Sequence, residues 1–421
     1  MRFGGRGRTL EWLRTGAWVL EDIRHDEGAE LVLRADHVAL QHSRGLDDRW
    51  MTALELPLFA WERALGGTAS WSIPPSAQIV ETDEAGSRLV LRSQTSDSRM
   101  LLEVTAGRLA VSGSGRITWT SDCPGRLVVL AAADDADLDR TSDLLGRRGI
   151  TGLGRQRAQH AEQLHRGGVA MRAAGLAGLD DAVEWAKVRA DALLGAWLAG
   201  EPDERSGEAA AGIRLAEGLL AAGLTHLPRT LLRRGVGEAL PGWHAFEQQF
   251  AAWTREPESA DAGLPATDVF SPPAEAALDR APAPTAAEIA SGRVDAERVA
   301  SLLIGSLGSL WGVGPDAARG RVTLAPDIAT LGEAAALSRL RVGRSVLDVR
   351  VRRRGEVVSL AVRKGAGPPI AVDCTIRGAA VRDVLIDGHP VGGMRARFEA
   401  RASHDVQLHL RAEPPLSSSA S

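Results

Sequence analysis

The hydrophobic period of this 421-residue chain changes twice along its length. Residues 30–133 contain short apolar stretches, such as "SRLVLRSQ" and "GRLAVSGSGRITWTS", separated by Gly, Ser, Asp and Pro, which is typical of antiparallel strands. From about residue 181 to 312 the apolar residues recur at helical spacing, and beyond that they alternate again. The sequence therefore predicts a multidomain α and β protein with strands at both ends and helices between them.

The best-marked predicted helix is "LDDAVEWAKVRADALLGAWLAG". Asp181 and Glu184 have capping-box spacing, and an apolar stripe from Val183 to Trp197 ends near Gly200. The spacing predicts further helices in "GEAAAGIRLAEGLLAAG", "LPRTLLRRG", "GWHAFEQQFAAWTRE" and "VDAERVASLLIGSLGSLW". The intervening segment 257–292 is rich in Pro and Ala with little periodicity, which favours an irregular linker.

The C-terminal third alternates apolar and polar residues in "SVLDVRVRR", "VVSLAVRK" and "DVQLHLRA". This pattern predicts antiparallel strands with one buried and one wet face. Cys374 alternates with Ile370, Val372 and Ile376, so we expect a core thiol. In "RVRRR", residues 350–354, the arginines at every second position favour a solvated sheet edge over a nucleic-acid patch.

Composition excludes several classes of function. The formal net charge is −4 and the pI is near 6.2, which gives no general attraction to nucleic acid or acidic membranes. Two cysteines provide neither a disulfide framework nor a zinc cluster, so we expect no metal and no cofactor. No apolar run reaches about 18 residues, and the apolar piece near the start is too short for a signal peptide. We therefore expect a cytoplasmic protein.

The stretch "SLWGVGPDAARGRVTLAPDI", 309–328, marks the second change of period. Gly312 and Gly314 are predicted to end the last helix, because glycine readily takes the left-handed conformation found there. Pro315 blocks continuation of the helix, and Arg321–Leu324 is the predicted first strand of the C-terminal region.

Two stretches carry a resemblance to a known superfamily. "GLDDAVEWAKVRADALL" resembles the entry helix of the six-hairpin glycosidases, glycogen-debranching-like and α-rhamnosidase-like members in particular, and "LLIGSLGSLWGVGPDAARGRVTLAPDI" resembles their last toroid helix and its joint into a terminal β-domain. The resemblance implies an N-terminal β-sandwich, an (α/α) toroid and a C-terminal β-sandwich. The predicted regions are 1–135, N-terminal sandwich; 136–180, helical linker; 181–318, toroid domain containing the linker 257–292; 319–413, C-terminal sandwich; and 414–421, tail.

The predicted toroid is short. A complete ring of twelve helices needs about 200 residues, at roughly 12 per helix and about 5 per connection. Residues 181–312 without the linker have room for about six helices by the same spacing. We therefore expect an incomplete ring.

Hydrolysis by this superfamily requires a carboxylic acid and a carboxylate base on opposite sides of the glycosidic bond. The candidate catalytic residues are Asp203 and Glu204, in a loop before the second helix, and Glu275, about where the superfamily places its base. Asp203 and Glu204 also fit an exposed helix start without function, and Glu275 falls in the segment predicted to be irregular.

The candidate substrate-binding residues are Trp243, His244 and Trp311. Aromatic rings can stack on sugars, but the stripe that begins at Trp243 and continues through Phe246, Phe250 and Trp253 also fits an ordinary core. His244 has no evident partner in the sequence, which favours a surface residue.

Three functions follow from the resemblance and its departures. The first is a carbohydrate-associated, glycosidase-like protein with little or no hydrolase activity. The second is an active, inverting glycoside hydrolase on an oligosaccharide or α-glucan, whose cleft a partner subunit completes. The third is a non-catalytic structural or interaction module. The expected partners are a carbohydrate ligand and a protein or second copy covering the incomplete ring, with no nucleic acid and no membrane.

Overall fold

The computed structural model describes the backbone of β-strands up to Thr52 and, with side chains, most of residues 58–411. The described ranges are 2–4, 12–15, 18–24, 29–33, 38–42, 47–52, 58–64, 66–73, 76–113, 115–199, 209–235, 242–254, 284–290 and 294–411. The chain divides into two compact units, Met1–Gln163 with Ala290–Arg293, and Leu164–Ile289 with Val294–Ser421.

The first unit is built from antiparallel strands. Its strands are β1 Arg2–Gly4, β2 Trp12–Thr15, β3 Trp18–Arg24, β4 Ala29–Leu33, β5 Val38–His42, β6 Asp47–Thr52, β7 Leu58–Arg63, β8 Gly67–Ser72, β9 Ala77–Thr82, β10 Arg88–Ser93, β11 Arg99–Val104, β12 Arg108–Val111, β13 Arg116–Ser121 and β14 Gly125–Ala132. They form a six-stranded sheet in the order β1-β2-β3-β8-β13-β12 and an eight-stranded sheet in the order β4-β5-β6-β7-β14-β11-β10-β9.

The two sheets of the first unit face each other across an apolar core. Trp61 of β7 and Trp119 of β13 meet edge to face with centroids 5.8 Å apart, in a core shared by both sheets. This arrangement confirms the predicted N-terminal β-sandwich. The helix α1, Asp135–Gly167, covers the opposite face of the eight-stranded sheet with Leu138, Ile150 and Leu153.

The second unit contains the remaining helices and strands. Its helices are α2 Leu179–Ala199, α3 Ala209–Ala221, α4 His226–Arg234, α5 Trp243–Thr254, α6 Ala286–Ala290, α7 Ala296–Gly305 and α8 Ile328–Leu331, with a π-turn at Ser306–Leu310 and a 3-10 turn at Ala317–Arg319. Its strands are β15 Ala170–Ala173, β16 Gly314–Asp316, β17 Arg321–Leu324, β18 Ala334–Val342, β19 Ser345–Arg354, β20 Val357–Ala366, β21 Ile370–Cys374, β22 Val381–Ile386, β23 His389–Val391, β24 Ala396–Ala400 and β25 Ser403–Leu410.

Helix α3 lies at the centre of the described helices. Helices α2, α4, α5 and α7 all pack against it, and every residue from Leu215 to Ala221 is buried. A helix that is buried all round lies inside a packed core rather than at a surface. Gly218 permits a close approach of α7, because an added Cβ would lie 3.3 Å from the Cα of Ala300.

The joint between α7 and the C-terminal strands is held by hydrogen bonds that cross it. Leu310 O accepts from the backbone N–H of Asp327 at 2.8 Å, and Trp311 O accepts from that of Ala325 at 3.1 Å. The guanidinium of Arg377 donates to Ala325 O at 2.8 Å and to a carbonyl at the end of the π-turn. The predicted end of the helix and the predicted strand at Arg321–Leu324 are confirmed.

The C-terminal strands form two sheets. One has seven strands in the order β15-β18-β19-β20-β25-β22-β23, and the other has four in the order β16-β17-β21-β24. Their apolar faces belong to one continuous core. The pairing is antiparallel except between β17 and β21, which run parallel. Strand β15 follows α1 directly in the chain and pairs with β18, so the stretch predicted as a helical linker also contributes a strand to this sheet.

Two sequence predictions about this region have clear outcomes. Cys374 is fully buried on β21, and burial raises the pKa of its thiol to about 12, which confirms the core thiol. The interpretation of "RVRRR" as a sheet edge is wrong, because β19 lies between β18 and β20. Strand β19 pairs with its sequence neighbours β18 and β20 through short turns at both ends, so it is the middle strand of a meander.

No described helix is long and apolar enough to cross a membrane.

Candidate functional site

The three predicted catalytic carboxyls, Asp203, Glu204 and Glu275, lie outside the described residues. Their roles stay predictions from the sequence.

The structure separates the three predicted substrate-binding residues into two environments. Trp243 and Trp311 are 6% and 1% exposed and belong to the apolar core of the second unit. His244 is exposed on α5, with Nδ1 3.4 Å from a carboxylate oxygen of Glu247 and Nε2 3.0 Å from Nε2 of Gln248. The two indoles thus have their rings in the protein interior, while the imidazole lies at the surface.

The aromatic stripe on α5 is part of the core. The rings of Trp243 and Phe246 have centroids 5.9 Å apart, and those of Phe246 and Phe250 are 6.4 Å apart. Phe246 is fully buried and Trp253 nearly so, while Phe250 packs against the same cluster. The structure therefore confirms the interpretation of this stripe as part of an ordinary core.

Glu217 is a buried acidic residue that the sequence analysis missed. It is 6% exposed on α3, and no other Asp or Glu among the described residues is buried. One carboxylate oxygen lies 2.9 Å from a guanidinium nitrogen of Arg214, one helical turn earlier and partly exposed. Burial raises the pKa of Glu217, and Arg214 opposes that shift. The only local signal is a single acid inside the apolar run "GIRLAEGLLA".

A buried carboxyl with a raised pKa is the kind of group that can serve as a general acid. Glycoside hydrolysis also requires a second carboxyl across the substrate and room for the sugar between them. Glu217 instead lies on the central helix, among buried apolar residues from the surrounding helices. Its position indicates a structural role, in which the ion pair with Arg214 holds that side chain against the helical core.

A second polar cluster lies within the second unit, where the last residues of α1, from Leu164 onward, meet α2 and β18. Lys187, in the Trp-Ala-Lys run of α2, is fully buried. Its Nζ donates to Val169 O at 2.9 Å and lies 2.8 Å from a carboxylate oxygen of Glu184. Burial lowers the pKa of Lys187, and the nearby Arg339 lowers it further while Glu184 opposes the shift. The ammonium group thus connects α2 to the residue just before β15.

Glu184 therefore forms an ion pair with Lys187 and does not form the predicted capping box. The helix begins at Leu179, two residues before the predicted cap at Asp181, whose N–H donates a hydrogen bond to the Asp180 carboxylate at 3.0 Å. The capping-box prediction was wrong, because Glu184 has a buried cation one turn ahead that the local spacing could not reveal.

Arg339 completes this cluster from β18. Its guanidinium donates to His165 O at 2.7 Å and to Gly168 O at 2.9 Å, while its own N–H donates to Asp348 at 2.8 Å. The backbone of Arg339 has φ 60°, a left-handed conformation that costs a non-glycine residue about 1 kcal/mol or more. Together Lys187 and Arg339 bind backbone carbonyl groups of the segment that connects α1 to β15.

His165 lies at the open side of the same cluster. Its Nε2 is 3.9 Å from the Glu184 carboxylate. Burial lowers the pKa of the imidazole, the nearby Lys187 and Arg339 lower it further, and Glu184 opposes them. The cluster contains an acid, a base and a cation, but they bind backbone carbonyls and one another, which indicates a structural role.

Two buried polar atoms at the π-turn have no hydrogen-bond partner among the described residues: Ser306 Oγ and Trp311 Nε1. They are five positions apart, the i to i+5 spacing of a π-helical hydrogen bond, and π-turns recur at functional sites. No group of three or more His, Cys, Asp or Glu that could hold a metal occurs in the described part of the chain.

Comparison with known proteins gives structural likeness only. No protein family matches the chain, and no curated protein does. A protein described as a kojibiose phosphorylase, from the human microbiome, is similar over 94% of this chain and 92% of its own, with 7% identity and a TM-score of 0.36. A bacterial glucoamylase complexed with acarbose is similar over 55% of this chain and 47% of its own, with 9% identity and a TM-score of 0.32.

A Streptomyces avermitilis α-L-rhamnosidase complexed with L-rhamnose is also similar, over 86% of this chain and 54% of its own, with 11% identity and a TM-score of 0.24. The chain spans about half the length of the glucoamylase and of this rhamnosidase. These neighbours are of the six-hairpin, (α/α)-toroid type, the superfamily that the sequence resemblance names. At these scores the likeness says nothing about the chemistry of this chain.

Proposed function

We propose that this chain is a carbohydrate-associated protein of the six-hairpin glycosidase type with a shortened toroid and little or no hydrolase activity. The position of Glu217 carries the proposal. Its helix, α3, is buried from Leu215 to Ala221 under four neighbouring helices. A sugar cannot reach a carboxyl in such a position without separating packed helices.

The buried aromatic rings support the same function. Trp243 and Trp311 contribute to the apolar core, whereas a sugar-stacking residue must present a ring face to a cleft. The carbohydrate association itself rests on the two stretches of sequence that resemble the entry helix and the terminal joint of these glycosidases.

The described helices give no specific support to the alternative of an interaction module. An unfinished ring would expose apolar side chains where the missing helices should pack. The large apolar side chains that are exposed in the described part of the chain, Ile79, Val80, Val111 and Met394, all lie in β-regions outside those helices.

The proposal is tested by measuring release of reducing sugar from α-glucans and of nitrophenol from aryl glycosides by the full chain. We expect no release above the rate in buffer. Turnover that is abolished in Glu204→Gln or Glu275→Gln would instead establish the active, inverting hydrolase. Glu247→Gln, an exposed carboxyl on α5, is the matched control and should change neither result.

A further inference from the structure

The outward face of the seven-stranded sheet bears a row of arginines. Arg350, Arg352 and Arg354 of β19 and Arg172 of β15 are all exposed. We call these four residues the arginine face. The register places Arg172 opposite Ala336 of β18, which in turn lies opposite Arg350, so charges from two strands lie in one line across the sheet.

The spacing of the arginine face follows from strand geometry. Arg350 and Arg352 are two residues apart on one strand, about 7 Å along its length. Arg172 and Arg350 are separated by two strand spacings, about 10 Å. A planar guanidinium can bind a carboxylate or sulfate with two parallel hydrogen bonds. Several anionic groups on one extended ligand can therefore be bound at once.

The residues of the flanking strands beside these arginines are small. Arg350 lies between Ala336 and Ala361 of the flanking strands, and Arg352 lies between Ala334 and Ser359. No bulky side chain of the flanking strands stands between the guanidinium groups. A linear ligand can lie across the strands against the backbone and small side chains.

No carboxylate among the described residues pairs with the arginine face. No ion pair or hydrogen bond of these four side chains occurs within the described residues. Several other exposed arginines in the same unit are paired, Arg319 and Arg321 with Asp316, Arg382 with Asp383, Arg397 with Asp373, and Arg401 with Glu399, while Arg363 and Arg395 have no ion pair within the described residues. The chain as a whole has a net charge of −4, so the positive charge of the arginine face is a local feature.

Acidic residues mark the far limit of the surface. On the same rows, Asp405 of β25 pairs in register with Ala361, and Asp383 of β22 pairs with His409. Asp348 of β19 also lies on this face, two residues before Arg350, where its carboxylate accepts a hydrogen bond from the backbone N–H of Arg339. The arginine face is therefore bounded by Asp348 along β19 and by Asp405 across the sheet, and a bound polyanion is confined between them.

We propose that the arginine face binds an acidic polysaccharide, a glycan chain bearing carboxylate or sulfate groups. Ser359 and Gln407, neighbours on adjacent strands, offer a hydroxyl and an amide beside the arginines for sugar hydroxyls. The face contains no aromatic residue, and such rings are what single-stranded nucleic acids stack on. Its centre of Ala and Ser also lacks the bulky apolar residues that anchor a protein partner. The choice of a glycan rests in part on the proposed function.

The test is binding of fluorescently labelled polygalacturonate to the full chain at low salt, measured by anisotropy. Dextran sulfate tests the sulfate form, neutral dextran is the uncharged comparison, and single-stranded and duplex oligonucleotides test nucleic acid. Binding should require no turnover, so it succeeds or fails independently of the hydrolase assay. We expect the acidic glycans to bind, neutral dextran not to bind, and affinity to fall steeply with salt.

The double variant Arg350→Ser with Arg352→Ser should weaken polygalacturonate binding roughly tenfold, because two exposed charge contacts are lost. The matched control, Arg108→Ser with Arg395→Ser, removes the same charge from exposed positions outside the face and should bind as the native chain does. Circular dichroism and urea unfolding should show all three proteins equally folded. Three results would overturn the proposal: no binding by the native chain, equal loss in the control, or tighter binding of an oligonucleotide than of polygalacturonate.

Discussion

The side-chain ammonium of Lys187 donates a hydrogen bond to the backbone carbonyl of Val169 across 2.9 Å, and both residues are fully buried. Helix α2 is thereby connected to the segment that enters β15, the edge strand of the C-terminal sheet. This bond joins the helices and strands of the second unit without involving the predicted catalytic residues.

Replacement of Lys187 by Met should destabilise the protein by about 2–4 kcal/mol. The apolar chain of Met fills a similar volume, but Val169 O loses its donor and Glu184 loses its cation in a mostly buried position. Urea unfolding followed by circular dichroism gives the change in free energy. Arg229→Met, an exposed residue on α4, should stay within about 0.5 kcal/mol of the native chain. Equal stability of the two variants would show that Lys187 does not stabilise the fold through its bond to Val169.

Stability should fall as the pH drops below 6.5, the ordinary pKa of histidine, toward the lowered pKa of His165. In this window the unfolded chain binds a proton that the folded chain does not, so protonation favours unfolding. Unfolding measured at several pH values between 7.5 and 5 should show the loss. His165→Gln should show a smaller loss over that window, and His226→Gln, at an exposed position, should follow the native chain. An identical profile in His165→Gln and the native chain would contradict this assignment.

Gly312→Ala should destabilise the joint by about 1–3 kcal/mol. Gly312 has φ +56°, and an added Cβ would lie 2.4 Å from Ala325 O. Gly308→Ala is the matched control in the preceding π-turn, because nothing lies within 4 Å of the position its Cβ would occupy. The control should be neutral or slightly stabilising when both are compared by urea unfolding. Comparable losses in the two variants would mean that the joint does not depend on the conformation of Gly312.

Glu217→Gln should remove one source of lost stability as the pH rises above 4.5. Because burial raises the pKa of Glu217, the folded chain binds a proton more tightly than the unfolded chain does, and stability is lost as the pH rises from 4.5 through the raised value. Glutamine has nearly the same shape and cannot ionise. His165 acts in the opposite direction over part of this range, so the variant and the native chain are compared directly. From pH 5 to pH 8 the variant should gain stability relative to the native chain, and an equal change in both would contradict the prediction.

The features that the sequence predicts correctly depend on the spacing of apolar residues within a single helix or strand. The strand content of both ends, the burial of Cys374 and the core role of the Trp243 stripe all follow from which residues share a face of one element. The end of the last helix at the Gly312 joint is local in the same sense, because glycine and proline act on the backbone near their own positions.

Features that depend on distant partners could not be predicted in this way. The pairing of β15 with β18 brings together residues about 165 positions apart. Glu184 fits a capping box by spacing, but its charge is used by a buried lysine held in place by Val169. Glu217 looks like a surface acid in its own helix, and only the packing of other helices around α3 buries it.

The central claim is that α3 is a closed core helix and that Glu217 is therefore not available to a substrate. Hydrogen exchange of the amides in Ala209–Ala221 tests this claim most directly, measured by mass spectrometry with and without a saturating malto-oligosaccharide. The account predicts that the buried stretch from Leu215 to Ala221 exchanges only through global unfolding and that the oligosaccharide leaves its rate unchanged. Rapid exchange of that stretch, slowed when the oligosaccharide is added, would show an accessible site at Glu217 and contradict it.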